Sequence, residues 1–184
     1  MSALSPGIDD ARHISSIDEA EQQYGVLPWR KDRQGRLRAL LVTSRGRGRW
    51  IVPKGWPIED RAPYLSAALE AFEEAGVIGD IRTHPLVSYH YVKQGADGSR
   101  QHRRVTLFGL RVRGTLTNWP ERGQRRRQWF DLDEAADIVA DPELAHAIRR
   151  IRDTPQMLTD LQRPSVEDRG HGIRTTGPGA SIHP

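Results

Sequence analysis

Apolar and polar positions change period several times along this chain. Tyr24–Arg30 and Leu37–Ser44 are apolar-rich stretches of strand length on either side of a polar Asp32–Gly35 turn. A basic, glycine-punctuated loop, Arg45–Arg49, leads into Trp50–Val52, a short apolar strand stopped by Pro53. Lys54–Pro63 reads as a loop. From Tyr64 to Ala75 the period becomes helical, with Leu65, Ala68, Leu69 and Phe72 on one arc, the predicted core face, and Gly76 as the stop. Val87–Lys93 and Val105–Val112 are predicted strands joined by a polar loop, Gln94–Arg104. A strand over Gln128–Leu132 precedes helices over Asp133–Val139 and Pro142–Asp153, with Asp133 and Asp141 as N-caps. Strands dominate the middle, with helices between and after them. This order predicts an α+β fold, an α/β/α sandwich rather than a doubly wound parallel sheet.

The 184 residues suit one domain with loose ends. Residues 1–20 form a polar, weakly patterned leader without the apolar stretch of a secretory signal. Residues 161–184 are a Gly/Pro-rich tail, predicted to be disordered. The folded unit is then 21–160. There is no cysteine, which excludes disulfides, thiolate metal sites and a cysteine nucleophile. That absence fits a reducing compartment, and the expected location is cytoplasmic. No apolar run approaches the ~18 residues of a membrane span, so no membrane partner is expected.

Net charge is +4, and the basic residues are almost all arginine: Lys31, Lys54 and Lys93 are the only lysines among 28. Arginine binds phosphate bidentately, so a phosphate-rich partner is one reading of the excess. A GC-rich coding sequence gives the same excess.

The chemistry concentrates on the predicted helix. Glu70, Glu73 and Glu74 fall at i, i+3 and i+4, on one arc. Like charges at that spacing repel, and two of them sit in the last turn, where the macrodipole disfavours anions. No Lys or Arg lies three or four positions away on the helix. A hard divalent cation, Mg²⁺ or Mn²⁺, resolves the conflict, since it takes oxygen ligands and commonly bridges carboxylates to substrate phosphates. A solvated acidic face is the plainer alternative.

Gly55–Val77 resembles the Nudix box: Gly, five residues, Glu, seven residues, Arg-Glu-aliphatic, any residue, Glu-Glu, any residue, Gly-aliphatic. Gly55, Glu70, Glu73, Glu74, Gly76 and Val77 match, in register over all 23 residues. Arg61 stands at the box's first Glu, Leu69 at its Arg, and Ala71 at a bulky aliphatic position. In the family that Arg helps to orient the catalytic carboxylates, which Leu69 cannot do. Glu59 or Asp60 is the candidate substitute for the missing Glu, with Trp56 and Pro57 packing the loop.

Two flanking segments narrow the resemblance. Arg49–Pro57, and Trp119–Glu121 with Arg125–Phe130, are similar to the diphosphoinositol-polyphosphate and diadenosine-polyphosphate branch. There, basic residues outside the box grip several phosphates. The matching positions are Arg100 and His102, before the Val105 strand, and Arg125 and Arg127, before the Trp129 strand. Lys54 and Arg49 are further substrate-binding candidates. Glu21 and Gln23 stand where the branch has basic residues on its first strand.

The resemblance implies a Nudix-type sandwich with a mixed central sheet. It also implies a metal-dependent hydrolase of phosphoanhydride bonds in X-linked diphosphates. Glu70, Glu73 and Glu74 would be catalytic. With the Gly55 carbonyl they would hold Mg²⁺ or Mn²⁺, and Glu73, Glu74 or Glu121 would be the base. The partner is a small phosphorylated substrate. A catalytically weak polyphosphate- or nucleotide-binding protein and an enzyme acting on RNA 5′ ends are the alternatives. Oligomeric state is left open.

Overall fold

A computed structural model describes residues 20–159, so the leader (apart from Ala20) and the tail over 161–184 lie outside the described residues. Eight strands form one mixed sheet: β1 Glu21–Lys31, β2 Leu37–Thr43, β3 Trp50–Ile51, β4 Lys54–Gly55, β5 Val77–Ile81, β6 Val87–Gln94, β7 Arg100–Thr115 and β8 Arg127–Asp131. The helices are α1 Pro63–Ala75, α2 Leu132–Ile138, α3 Pro142–Asp153 and α4 Gln156–Thr159. The central path runs β3-β2-β1-β7-β5, with β4 on β1, β6 on β7 and β8 on β2. Only β1–β7 is parallel, from Glu21↔Arg103 to Trp29↔Arg111; every other pairing is antiparallel. The expected mixed-sheet sandwich is therefore observed.

Alternation along β1 and β7 builds two cores. Leu27, Trp29, Leu41, Val105 and Leu107 face α2 and α3, where Ala135, Leu144, Ile148 and Ile151 close the layer. Val26, Leu40, Val42, Phe108 and Leu110 face α1.

The face that α1 buries differs from the sequence expectation. Leu65 and Phe72 are exposed, at 45% and 37%, and Ala68 and Leu69 are only half-buried. The inward arc is Ala67, Ala71, Glu74 and Ala75. A row of methyl groups lets the helix lie close over the sheet, which a bulky residue at position 71 would prevent. Hydrophobicity alone selects the larger residues. Close approach, which carries Glu74 to the sheet, selects the smaller ones.

Other differences have local causes. Lys54–Gly55 pairs with Gly25 and Tyr24 of β1 as strand β4, rather than lying in a loop. β5 went unread because Gly79 and Asp80 interrupt its apolar pattern and three of its five residues are exposed. β7 begins at Arg100, so the predicted loop from Gln94 to Arg104 shrinks to 95–99 and the strands form a hairpin. Polar composition there marks an exposed ladder, not a break in it. The N-cap of α2 is Asp131, in a capping box with Glu134, so Asp133 lies inside the helix. Asp141 caps α3 as predicted, accepting from the amides of Glu143 and Leu144.

Candidate active site

The acidic helix packs against β4, which pairs with the N-terminal half of β1 at Tyr24 and Gly25. Gly76 ends α1 in the left-handed region at φ 60°, where glycine is the natural stop. A Cβ there would also strike the Trp119 ring and the Arg127 guanidinium. Arg127 donates to the carbonyls of Ala75 (2.6 Å), Gly76 (3.1 Å) and Leu116 (2.6 Å) and stacks 3.8 Å from the Trp119 ring. It caps the helix C-terminus with a positive charge, which the macrodipole favours and which offsets the unfavourable placing of Glu73 and Glu74. Arg127 was expected to grip substrate; the carbonyls of α1 and of Leu116 occupy it instead.

Arg125 is also engaged. Its side chain is 5% exposed. Nη2 donates to Glu74 Oε1, Nε to Glu121 Oε2 (2.5 Å), and Nη1 to the Thr43 carbonyl (2.9 Å). The backbone of the same loop is laced to α1, since the Glu121 amide donates to the Glu73 carbonyl at 3.1 Å and the Leu116 amide to the Gly76 carbonyl at 2.8 Å. Glu121, a candidate base in the sequence, is thus brought to the acidic row, together with Arg45 at 3.8 Å. The charge relief absent from the helix itself comes from a segment some 50 residues away.

Glu74 is 6% exposed. Its Oε2 accepts from the Lys54 amide at 3.2 Å. Burial pushes its carboxyl up, against the opposing charges of Arg125 and Lys54. Burial pushes the Lys54 ammonium down, while Glu74 opposes that shift. Glu70 is half-buried and is pushed up to about 7, first by burial and then by Glu74, Glu73 and Glu121. Its carboxyl lies against Gly55, in the space a Cβ would fill.

Four carboxylates with mutual repulsion, beside a backbone edge, are the donor set a hard cation takes, so the residues fit Mg²⁺ or Mn²⁺. Among the described residues no three acidic or imidazole groups yet converge on one point. Neither Glu70 nor Glu73 has a side-chain hydrogen-bond partner among the described residues.

The phosphate-gripping candidates separate by strand parity. Arg100 is exposed at the start of β7 and pairs with Gln94 in the hairpin. His102 lies on the opposite face of β7 from Arg103. Arg103 is the residue brought beside β4: it is 5% exposed, pairs with Glu21, and lies 4.6 Å from the Trp56 ring. Its Nε has no hydrogen-bond partner among the described residues. Lys54 Nζ lies 5.2 Å over the Tyr91 ring, whose hydroxyl donates to Gln23 Oε1 at 2.7 Å. Arg49 is exposed in the β2–β3 loop, where its amide donates to the Ser44 hydroxyl at 3.0 Å. Glu59 and Asp60 are exposed, so neither is buried with the other carboxylates. The sequence reading named Arg100 and His102, and Arg103 lies between them. Register against Tyr91 is what singles it out.

Comparisons with known proteins identify the family and the fold. The family described as NUDIX domain matches residues 22–151. Nudix hydrolase 12 (mitochondrial) of Arabidopsis thaliana is 33% identical over 128 residues, covering 68% of this chain and 61% of that protein. The mouse diphosphoinositol polyphosphate phosphohydrolase 3-alpha is 32% identical over 129 residues, covering 69% and 74%. The alignment spans only about 60% of the length of the first plant relatives. Among solved structures, a binary complex of the C. elegans Ap4A hydrolase has a TM-score of 0.57 at 20% identity, covering 74% of this chain and 98% of that one, a likeness of fold.

Proposed function

The chain belongs to the Nudix hydrolase family, and we propose that it hydrolyses a phosphoanhydride bond in a small X-linked diphosphate, of the diphosphoinositol-polyphosphate or diadenosine-polyphosphate class. The observation that carries this reading is the row Glu70, Glu73, Glu74 and Glu121, set against Gly55 and Lys54, with Arg103 under Trp56, next along the chain from Gly55. The resemblance to the mouse diphosphoinositol enzyme supports the substrate class.

Glu70, Glu74 and the Gly55 carbonyl would hold the cation, with Glu73 beside them. A divalent cation bound there supplies charge neutralisation for the diphosphate and acidifies the attacking water. Glu74 has both oxygens engaged, by Arg125 and by the Lys54 amide. Glu121 has one oxygen engaged by Arg125. Glu73 carries no such bond among the described residues and is the carboxylate we assign to take the proton from water. Arg103 and Lys54 orient the phosphates that do not react, which raises the rate by positioning.

The test is phosphate release by the full chain with Mg²⁺ or Mn²⁺, beside a Glu74→Gln control. The substrates are diphosphoinositol polyphosphates, diadenosine penta- and hexaphosphate, ADP-ribose, NADH and nucleoside triphosphates. Metal-dependent turnover of one of the first two classes, lost in the control, is the expected result. Preference for another class overturns the substrate assignment. No turnover by folded, Mn²⁺-binding protein overturns the hydrolase reading in favour of a binding role.

A further inference from the structure

We infer that Arg125 is a positioning residue for the acidic row, not a substrate-gripping one. The inference rests on the hydrolase reading of the site, and deepens it. Leu69 leaves α1 without a basic residue of its own near the glutamates. Arg125 reaches them from outside the helix. Its fork joins three separate pieces of chain: the end of β2 at the Thr43 carbonyl, the helix at Glu74, and the 116–126 loop at Glu121.

Its own backbone is held as well. The Thr43 amide donates to the Arg126 carbonyl at 2.9 Å, and the Arg126 amide donates to the Thr43 hydroxyl at 2.9 Å. The Arg125 amide donates to the Glu121 carbonyl at 3.1 Å. The guanidinium therefore enters from a clasped strand end and has little freedom to swing toward a ligand. With its side chain 5% exposed and Nε, Nη1 and Nη2 each donating within the protein, it presents little surface to a phosphate.

What it does offer is geometry. A planar five-donor fork fixes two carboxylates at a set angle and separation, which a lysine ammonium cannot do. Groups that orient ligating carboxylates from behind act on affinity and rate without touching substrate. Arg125 serves Glu74 and Glu121 in that way.

The test uses the full chain and the Arg125→Gln and Arg125→Lys variants, with two readouts. The first is Mn²⁺ affinity of the protein alone, by calorimetry or spin resonance. The second is kcat and KM on whichever substrate the wild type turns over. A positioning role predicts Mn²⁺ affinity weaker by about tenfold or more in Arg125→Gln. It also predicts a fall in kcat with KM held within about twofold. Arg125→Lys should fall between, having the charge without the fork.

A rise in KM with kcat and Mn²⁺ affinity unchanged would make Arg125 a substrate contact and overturn the inference. So would tighter Mn²⁺ binding, which would mean that the guanidinium occupies the cation's place, or no change in either readout. Should Arg125→Gln not fold, Arg125→Lys and Glu121→Gln carry the same comparison. If the wild type turns nothing over, the hydrolase reading fails, while the Mn²⁺ readout still decides whether Arg125 orders the carboxylates.

Discussion

The carboxyl of Glu70 lies against the α-carbon of Gly55, in the volume a side chain would take: an ideal Cβ on Gly55 would stand 1.9 Å from Glu70 Oε1 and 2.8 Å from Oε2. Gly55 has no positive φ, so its role is close approach rather than an unusual backbone. A Gly55→Ala chain should therefore fold. Glu70 must turn away in it, and a misplacement of about 1 Å in a reacting constellation can cost on the order of 10²-fold in kcat/KM. Mn²⁺ titration of the variant should show weaker binding at unchanged melting temperature. Equal Mn²⁺ affinity in both chains would mean that the contact has no part in holding a cation.

Arg127→Ala should cost stability, not substrate affinity. It removes hydrogen bonds to two carbonyls at the end of α1 and one at Leu116, and a stacked Trp119. One charged hydrogen bond contributes about 1.5–3 kcal/mol. Urea unfolding should show a loss of about 2 kcal/mol. A raised KM with unchanged stability would return Arg127 to the substrate.

Without metal, the protein should lose stability as pH rises through neutrality. The Glu70 carboxyl titrates near 7 in the folded chain and near its ordinary 4.5 when unfolded, so the folded state holds the proton more tightly. Stability from this group is complete below about 4.5 and is lost as pH climbs through 7. Melting temperature in EDTA, read from pH 5 to 8, should fall more steeply for wild type than for Glu70→Gln. Excess Mg²⁺ should flatten the wild-type curve. Parallel curves for the two chains would exclude Glu70 as the source.

Among the basic residues of β7, Arg103 should matter most to substrate. It is buried, carries a donor without a partner among the described residues, and sits under Trp56. Losing a charged hydrogen bond of about 1.5–3 kcal/mol raises KM roughly tenfold to a hundredfold in Arg103→Gln. Arg100→Gln and His102→Gln should change KM by less than about twofold, because Arg100 is exposed at the start of the strand and His102 is only half-buried. A reversed ranking in steady-state kinetics would contradict the strand register argued here.

The elements whose signal is local were legible in the chain. Gly76 after a helical run, the strand pair around Asp32–Gly35, the Asp141 cap and the i, i+3, i+4 glutamates each depend on neighbours within a few residues. β5 was not legible, because an exposed edge strand carrying Gly79 and Asp80 has no alternation to read. The buried face of α1 was not legible either, because close approach to the sheet favours Ala67, Ala71 and Ala75 over the larger Leu65 and Phe72.

The three glutamates of α1 and the family kinship were thus legible from residue type and spacing along one helix, which repeats whatever its surroundings. The roles of the arginines were not. Arg103, Arg125 and Arg127 look alike in the sequence. One lies buried beneath Trp56, one clamps Glu74, and one caps α1. A long flexible cation takes its partner from whatever the fold brings within reach, so only the tertiary structure could assign them.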